Sequence, residues 1–148
     1  MNGIRNYPTL DFDTLPCPLA EYRKNLMKIA FSPSVYEHAA FLIQMTPWEV
    51  SRDAELLYQA HRLAHQIYHH SPIVVGIDIY NIEAEAYGCV VTQPSGNGIP
   101  AITKGIFASI EESNSLKTFN PEVDGRIPLI IEAGRELARD KFSSVELR

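Results

Sequence analysis

Cysteine is scarce in this chain, with only Cys17 and Cys89 among 148 residues. They lie far apart and belong to no Cys-x-x-Cys or Cys/His pattern, so they read as reduced thiols rather than as a disulfide framework or a zinc knuckle. Long apolar runs are missing as well. No stretch approaches the roughly 18 apolar residues that a membrane-spanning helix needs, so no membrane partner is expected. The N-terminal residues include Asp11 and Asp13 and lack a basic segment followed by an apolar core, which argues against a secretion signal and for a cytoplasmic location. Basic charge is in deficit, with 13 Lys+Arg against 18 Asp+Glu and a net charge of −5. Nucleic acid, which needs a concentrated basic surface, is therefore not an expected partner. The sequence also has no G-x-S-x-G, no P-loop and no G-x-G-x-x-G, leaving serine nucleophile chemistry, Walker-type nucleotide binding and a dinucleotide site without support.

What is present is the composition of an ordinary globular protein, 45% hydrophobic and 21% charged. A chain of this length forms one domain, or part of one, and buries about 70% of its unfolded surface. Residues 1–18 hold Pro8, Pro16 and Pro18 with little periodicity and read as an N-terminal arm, followed by a domain over residues 19–148. Leu19–Lys28 reads as a short helix with Pro18 at its first position. Ile29–Tyr36 reads as a strand interrupted by Pro33, and Glu37–Met45 as a short helix. Thr46-Pro47-Trp48-Glu49 carries the T-x-x-E signature of a capping box. Asp53 then opens the longest helical pattern, Ala54–His70. At about 100° per residue, Leu56, Ala60, Leu63, Ala64 and Ile67 share one stripe, with His61, His65 and His69 opposite.

Histidines spaced i, i+4 can share a metal ion. Here they point away from the core stripe, and there is no H-E-x-x-H glutamate, so no metal site is assigned and a solvated or interface face is expected.

The stretch Ser71–Val91 holds the strongest concentration of chemistry. An apolar strand, Ile73–Ile77, delivers Asp78 to its C-terminal end, the end at which α/β folds build their sites. A carboxylate placed there is a pocket residue, or it caps the helix expected to start near Asn81. Glu83 and Glu85 follow on that helix before it stops at Gly88; two residues apart, they diverge by about 200° and cannot both face one pocket. Glu83 has a local role available in the helix's first turn, where the macrodipole favours acids. At the end of the preceding strand, Tyr36, Glu37 and His38 could line the same rim, although a histidine flanked by Ala39 and Ala40 is also a candidate for simple packing.

Downstream, Gln93–Gly98 contains Pro94, Gly96, Asn97 and Gly98, a turn signal that makes Cys89–Val91 and Pro100–Thr103 a hairpin. Ser109 and Glu112 repeat the capping-box spacing ahead of a short acidic helix reaching about Lys117. Arg126–Lys141 is a final amphipathic helix with Ile130, Ala133, Leu137 and Ala138 as its apolar face and Pro128 in its first turn. Ser144–Arg148 begins another strand. Strands alternating with helices indicate an α/β architecture with parallel strands. Two or three such strands leave both sheet edges open, so something else is expected to complete the sheet.

Three segments, SPSVYEHAAFLIQMTPWEVSRDAELL, VVGIDIYNIEAEAYGCVV and FNPEVDGRIPLIIEAGREL, occur in this order with the hairpin between the second and third. Together they resemble the N-terminal part of the uroporphyrinogen decarboxylase superfamily. Within it, the E-A-E-A-Y-G-C run at Glu83–Cys89 and E-H-A-A at Glu37–Ala40 look most like the corrinoid-dependent methyltransferases of the methylcobamide:coenzyme M type. The resemblance implies the N-terminal part of a (β/α)8 TIM-like barrel with N-terminal helices, incomplete as given, since a barrel takes about 250 residues. It also implies substrate-binding roles for Asp78, Tyr36, His38 and Glu85, with no catalytic residue in this chain.

In the decarboxylase branch, an aspartate matching Asp78 binds the pyrrole N–H groups of a tetrapyrrole, and an arginine after the first strand holds propionates. This chain departs from that branch by having Glu37 in the latter region. The methyltransferase branch implies transfer of a methyl group between a methylcobalamin-like corrinoid and a thiol. The zinc ion that binds the thiol is held by one His and two Cys of the later barrel; Cys17 and Cys89 do not match them. The chain is thus expected to act with a C-terminal half and to be inactive alone. Alternatives are a stand-alone regulatory half-barrel that forms a homo-oligomer, a non-catalytic tetrapyrrole or corrinoid binder, and a uroporphyrinogen decarboxylase.

Overall fold

The fold is that of a computed structural model, which describes residues 32–140 and 145–147. The expected arm over 1–18 and the helix Leu19–Lys28 lie outside the described residues, as do Cys17 and the first three residues of the strand expected at Ile29–Tyr36. The described part of that strand is corrected: residues 32–35 have no regular structure, and Tyr36 begins helix α1, Tyr36–Leu42. Pro33 supplies a reason, because it removes a ladder donor and biases Ser32 to an extended conformation without allowing a central strand.

A capping box opens α2, Pro47–Val50: the Thr46 side chain accepts from the Glu49 amide, and the Glu49 carboxylate accepts from the Thr46 amide. The Thr46 hydroxyl, which donates to the Glu49 carboxylate at 2.6 Å, and the Thr46 amide hold that carboxyl below its usual range. Asp53 caps α3, Ala54–Tyr68, by accepting from the Leu56 amide at 2.9 Å. The buried stripe of α3 is Leu57, Ala60, His61 and Ala64, rotated from the expected one, and Ile67 is 48% exposed. His61 is therefore corrected from the outer face to the core. Its burial is possible because Nε2 accepts the Gly76 amide at 3.1 Å, so the ring satisfies a strand-end donor that no helical wheel can anticipate. His70 is likewise buried, while His65 Nδ1 bonds its carbonyl at 2.9 Å.

Strand β1, Ile73–Val75, is fully buried and shorter than the apolar run. It pairs in parallel with β4, Val145–Leu147, in the register Ile73↔Val145 and Val75↔Leu147. Asp78 follows β1, then a 3-10 turn, Ile79–Asn81, and the short helix α4, Ile82–Ala86. Strands β2, Val90–Thr92, and β3, Ala101–Lys104, form the expected antiparallel hairpin, displaced by one residue and irregular between Val90 and Val91. The capping box expected at Ser109 is not formed. Glu112 instead accepts from the Ala108 amide, and the segment Glu111–Ser115 is a 3-10 helix. Helix α5, Ile127–Arg139, buries Ile130, Ala133, Gly134 and Leu137; Ala138, expected on this face, is exposed one step beyond it.

Helices α1, α3 and α5 pack side by side, and α5 also touches β1 and β4, enclosing one core of Val35, Ala39, Ala40, Leu57, Val75 and Leu137 among others. The architecture is α/β. Among the described residues the parallel sheet has two strands, and no helix is long and apolar enough to cross a membrane.

One backbone contact fixes how the loop before α5 meets α4. Gly125 has φ +58, and a Cβ built on it would lie 2.7 Å from the Ala86 amide nitrogen. Gly125→Ala is expected to lower stability by about 2 kcal/mol or more, through left-handed backbone strain joined to an overlap that only a backbone shift relieves. An unchanged urea midpoint would remove that contact from the account.

Candidate functional site

The site grows from the end of β1. Asp78 has φ 53 and ψ 50, the left-handed region, which aspartate enters more readily than most residues and which turns the chain sharply out of the strand. Its amide donates to Glu37 Oε1 at 3.1 Å. Its carboxylate accepts from Asn81 Nδ2 at 2.6 Å on Oδ1 and from Arg126 Nη2 at 3.0 Å on Oδ2. It makes no hydrogen bond to a helix amide, so the helix-cap role proposed from sequence does not arise. Asn81 also donates to the Pro100 carbonyl at 3.1 Å, joining the hairpin to this corner.

Arg126 stands at the N-terminus of α5 and is nearly enclosed. Nη1 donates to the Ile77 carbonyl at 2.9 Å, and Nη2 donates to the Asp78 carbonyl as well as to its carboxylate. One guanidinium thus closes the C-terminal end of β1, satisfying carbonyls that have left the ladder. Its Nε lies 2.8 Å from Glu85 Oε2, an ion-pair distance without hydrogen-bond alignment. Burial pushes the Asp78 carboxyl above its usual value, against the pull of Arg126 and Asn81. Burial also lowers the Arg126 pKa, opposed by Glu85 and Asp78; a guanidinium nevertheless keeps its charge in a protein.

Glu85 joins the second half of the site. Arg52 grips it through both terminal nitrogens, Nη1 to Oε2 at 2.9 Å and Nη2 to Oε1 at 2.5 Å. The Arg52 guanidinium lies 4.0 Å from the centre of the Trp48 ring, a cation–π contact. Because Arg52 lies just after α2 and Glu85 is on α4, this pair ties those two elements together. The result is an open cleft of about 420 Å³ whose lining includes Trp48, Arg52, Glu85, Cys89, Val91 and Arg126.

Of the residues singled out from sequence, the structure brings Asp78 and Glu85 together and leaves two apart. Glu85 faces the cleft, and Glu83, on the same helix, is exposed. Asp78 is 0% exposed and lies behind Arg126, so it supports the cleft without lining it. Tyr36 is half-buried at the start of α1, and its neighbour Glu37 reaches the Asp78 corner. His38 turns to the other side of α1, where Nε2 meets the Tyr68 hydroxyl at 2.7 Å and the ring stacks on Phe41. Trp48, Arg52 and Arg126 were not singled out. The available signal was a glycine, Gly125, immediately before an arginine at a helix start; the pairing of Arg126 with Asp78 spans 48 residues and leaves no local pattern.

Among the described residues, no three His, Cys, Asp or Glu side chains come together as metal ligands. The described residues thus offer no ligand set for the zinc ion of the methyltransferase branch.

Comparison of the chain with curated proteins and with solved structures finds no match. The family model described as uroporphyrinogen decarboxylase (URO-D) matches residues 29–147, a span that takes in β1, the Asp78 corner, both arginines of the cleft and β4. On that match over most of its length, the chain belongs to the uroporphyrinogen decarboxylase family.

Proposed function

We propose that the chain supplies one wall of the ligand pocket of a corrinoid-dependent methyltransferase, an enzyme of this family that moves a methyl group between a corrinoid and a thiol. Zinc, in this reading, is held by residues of a C-terminal half. The chain's own contribution is to bind and orient the corrinoid, with Trp48 and Arg52 at the cleft and Arg126 held in place by Asp78.

The observation that carries the reading is the charge balance of the cleft. Arg52 and Arg126 are matched by Glu85 and Asp78, so the wall offers no unpaired cation. A tetrapyrrole rich in carboxylates needs such cations when it leaves water, whereas the amide side chains of a corrinoid need only neutral partners. Both Asp78 oxygens also accept a bond within the chain, and the residue is fully buried, so its carboxylate is not open to a pyrrole N–H. These two features favour the methyltransferase over uroporphyrinogen decarboxylation.

Trp48 is the sole tryptophan and lines the cleft, which makes its fluorescence a direct reporter. Hydroxocobalamin is expected to quench it saturably, uroporphyrin more weakly, and Arg52→Ala to weaken the corrinoid response by about threefold or more by removing the cation that stacks on the indole. Tighter binding of uroporphyrin than of hydroxocobalamin would overturn the reading. Methylcobalamin mixed with the chain, a thiol and zinc should keep its spectrum, because the thiol-activating metal ligands are assigned to another segment.

A further inference from the structure

The contacts of Glu85 differ from those of an ordinary surface ion pair. Both of its oxygens face guanidinium groups: Arg52 takes Oε1 and Oε2 in a two-pronged grip, and Arg126 approaches Oε2 from the other side at 2.8 Å. This is the arrangement in which two arginines hold the carboxylate of a bound ligand. Each arginine is itself fixed in place. Trp48 backs the Arg52 plane, while the Ile77 and Asp78 carbonyls and the Asp78 carboxylate hold Arg126. Arg126 is therefore held by hydrogen bonds that do not involve Glu85, Arg52 is backed by the Trp48 ring, and Glu85 fills the space between them.

We propose that Arg52 and Arg126 form a carboxylate-binding site that Glu85 occupies from within the chain, and that Glu85 thereby sets ligand specificity by excluding carboxylate-bearing ligands from the cleft. Placing the natural ligand in this cleft rests on the function proposed above; the existence of the carboxylate site does not. With Glu85 in place, the two arginines and two acids sum to zero. Without it, one positive charge and the space of a carboxylate remain between two pre-positioned guanidiniums. Glu85 is on α4, which Gly125 contacts through backbone at Ala86 and Glu85, so the spacing between the internal carboxylate and Arg126 is set without an intervening side chain.

The test is chemical rescue. Glu85→Ala is expected to melt below the wild type and to regain part of the loss in acetate, at concentrations where sodium chloride of equal ionic strength does not restore it; wild type should respond equally to both salts. Glu85→Gln keeps the shape and loses the charge. It serves as the second variant if the alanine protein does not fold, and both are expected to bind uroporphyrin about tenfold or more tightly than wild type by Trp48 quenching, a gain that Arg52→Gln in the same background abolishes. Folded Glu85 variants with no acetate-specific stabilisation and no gain for uroporphyrin would overturn the proposal. If acetate rescues Glu85→Ala but hydroxocobalamin fails to bind wild type, the corrinoid reading falls and the carboxylate site stands.

Discussion

Replacing Arg126 with alanine is expected to lower stability by about 3–5 kcal/mol, because it leaves the carboxylate of Asp78 buried without its cation and strips the end of β1 of two carbonyl partners. The loss is comparable with the whole stability of a marginal domain, so a urea-denaturation midpoint near zero, or failure to fold, is the expected result. The reasoning is specific to the pair. Asp78→Asn removes the charge and retains one acceptor oxygen, enough for either Arg126 or Asn81 but not both, and it should cost less than the arginine deletion, which strands a buried charge. Added to Arg126→Ala, it should recover part of the loss, since the stranded negative charge is then gone. Strictly additive effects in this double-mutant cycle would show that Asp78 and Arg126 do not depend on each other, and the account of the β1 corner would have to be abandoned.

The second large effect is acid lability. His61 is completely buried, and burial is the main force holding its pKa at about 4 against an ordinary value of 6.5, with His70 adding a smaller push downward; the Gly76 amide, which donates to Nε2, likewise needs the neutral ring. The folded protein therefore takes up this proton later than the unfolded chain does. Above pH 6.5 both states carry a neutral ring and nothing is lost. As pH falls from 6.5 to about 4, the unfolded state gains a proton that the folded state refuses, and stability should decline by about 3 kcal/mol in all. His70, lowered in the same direction by burial, steepens the decline. Asp78 acts with the opposite sign. Its raised pKa means that ionisation costs the folded state, so acidification relieves a strain there. His61→Gln isolates the imidazole, since an amide oxygen can still accept from Gly76 without titrating. Urea midpoints measured between pH 7 and pH 4 should fall more steeply for wild type than for His61→Gln. Parallel curves would assign the acid sensitivity elsewhere.

These two predictions also mark where the sequence was readable. The Thr46–Glu49 box and the Pro94–Gly98 turn are local patterns, and each produced the element expected of it, whereas the apolar run before Asp78 gave a shorter strand than expected. The angular argument that Glu83 and Glu85 must diverge was also sound, since it rests on helix geometry alone. What stayed hidden depends on partners distant in the chain. His61 was assigned to the solvent face because a helical wheel counts imidazole as polar, whereas the structure gives it the free amide of Gly76 and a place in the core. Arg126 read as the first residue of an amphipathic helix; its partners, Ile77, Asp78 and Glu85, become visible only once α5 lies against β1. Arg52, between two helix starts, carried no pattern at all.

The pairing of β1 with β4 has a consequence for how the protein is made. Ile73 finds its parallel partner at Val145, 72 positions later by difference of the two numbers, with a hairpin and α5 in between. During synthesis, β1 and its Asp78 corner must therefore wait, apolar and unpaired on that side, until α5 and then β4 have been added. Contacts of such long sequence separation form late and leave strand edges open meanwhile. The nascent chain is most exposed to aggregation in that interval, and a shielding chaperone would be most effective between the emergence of Val75 and that of Leu147.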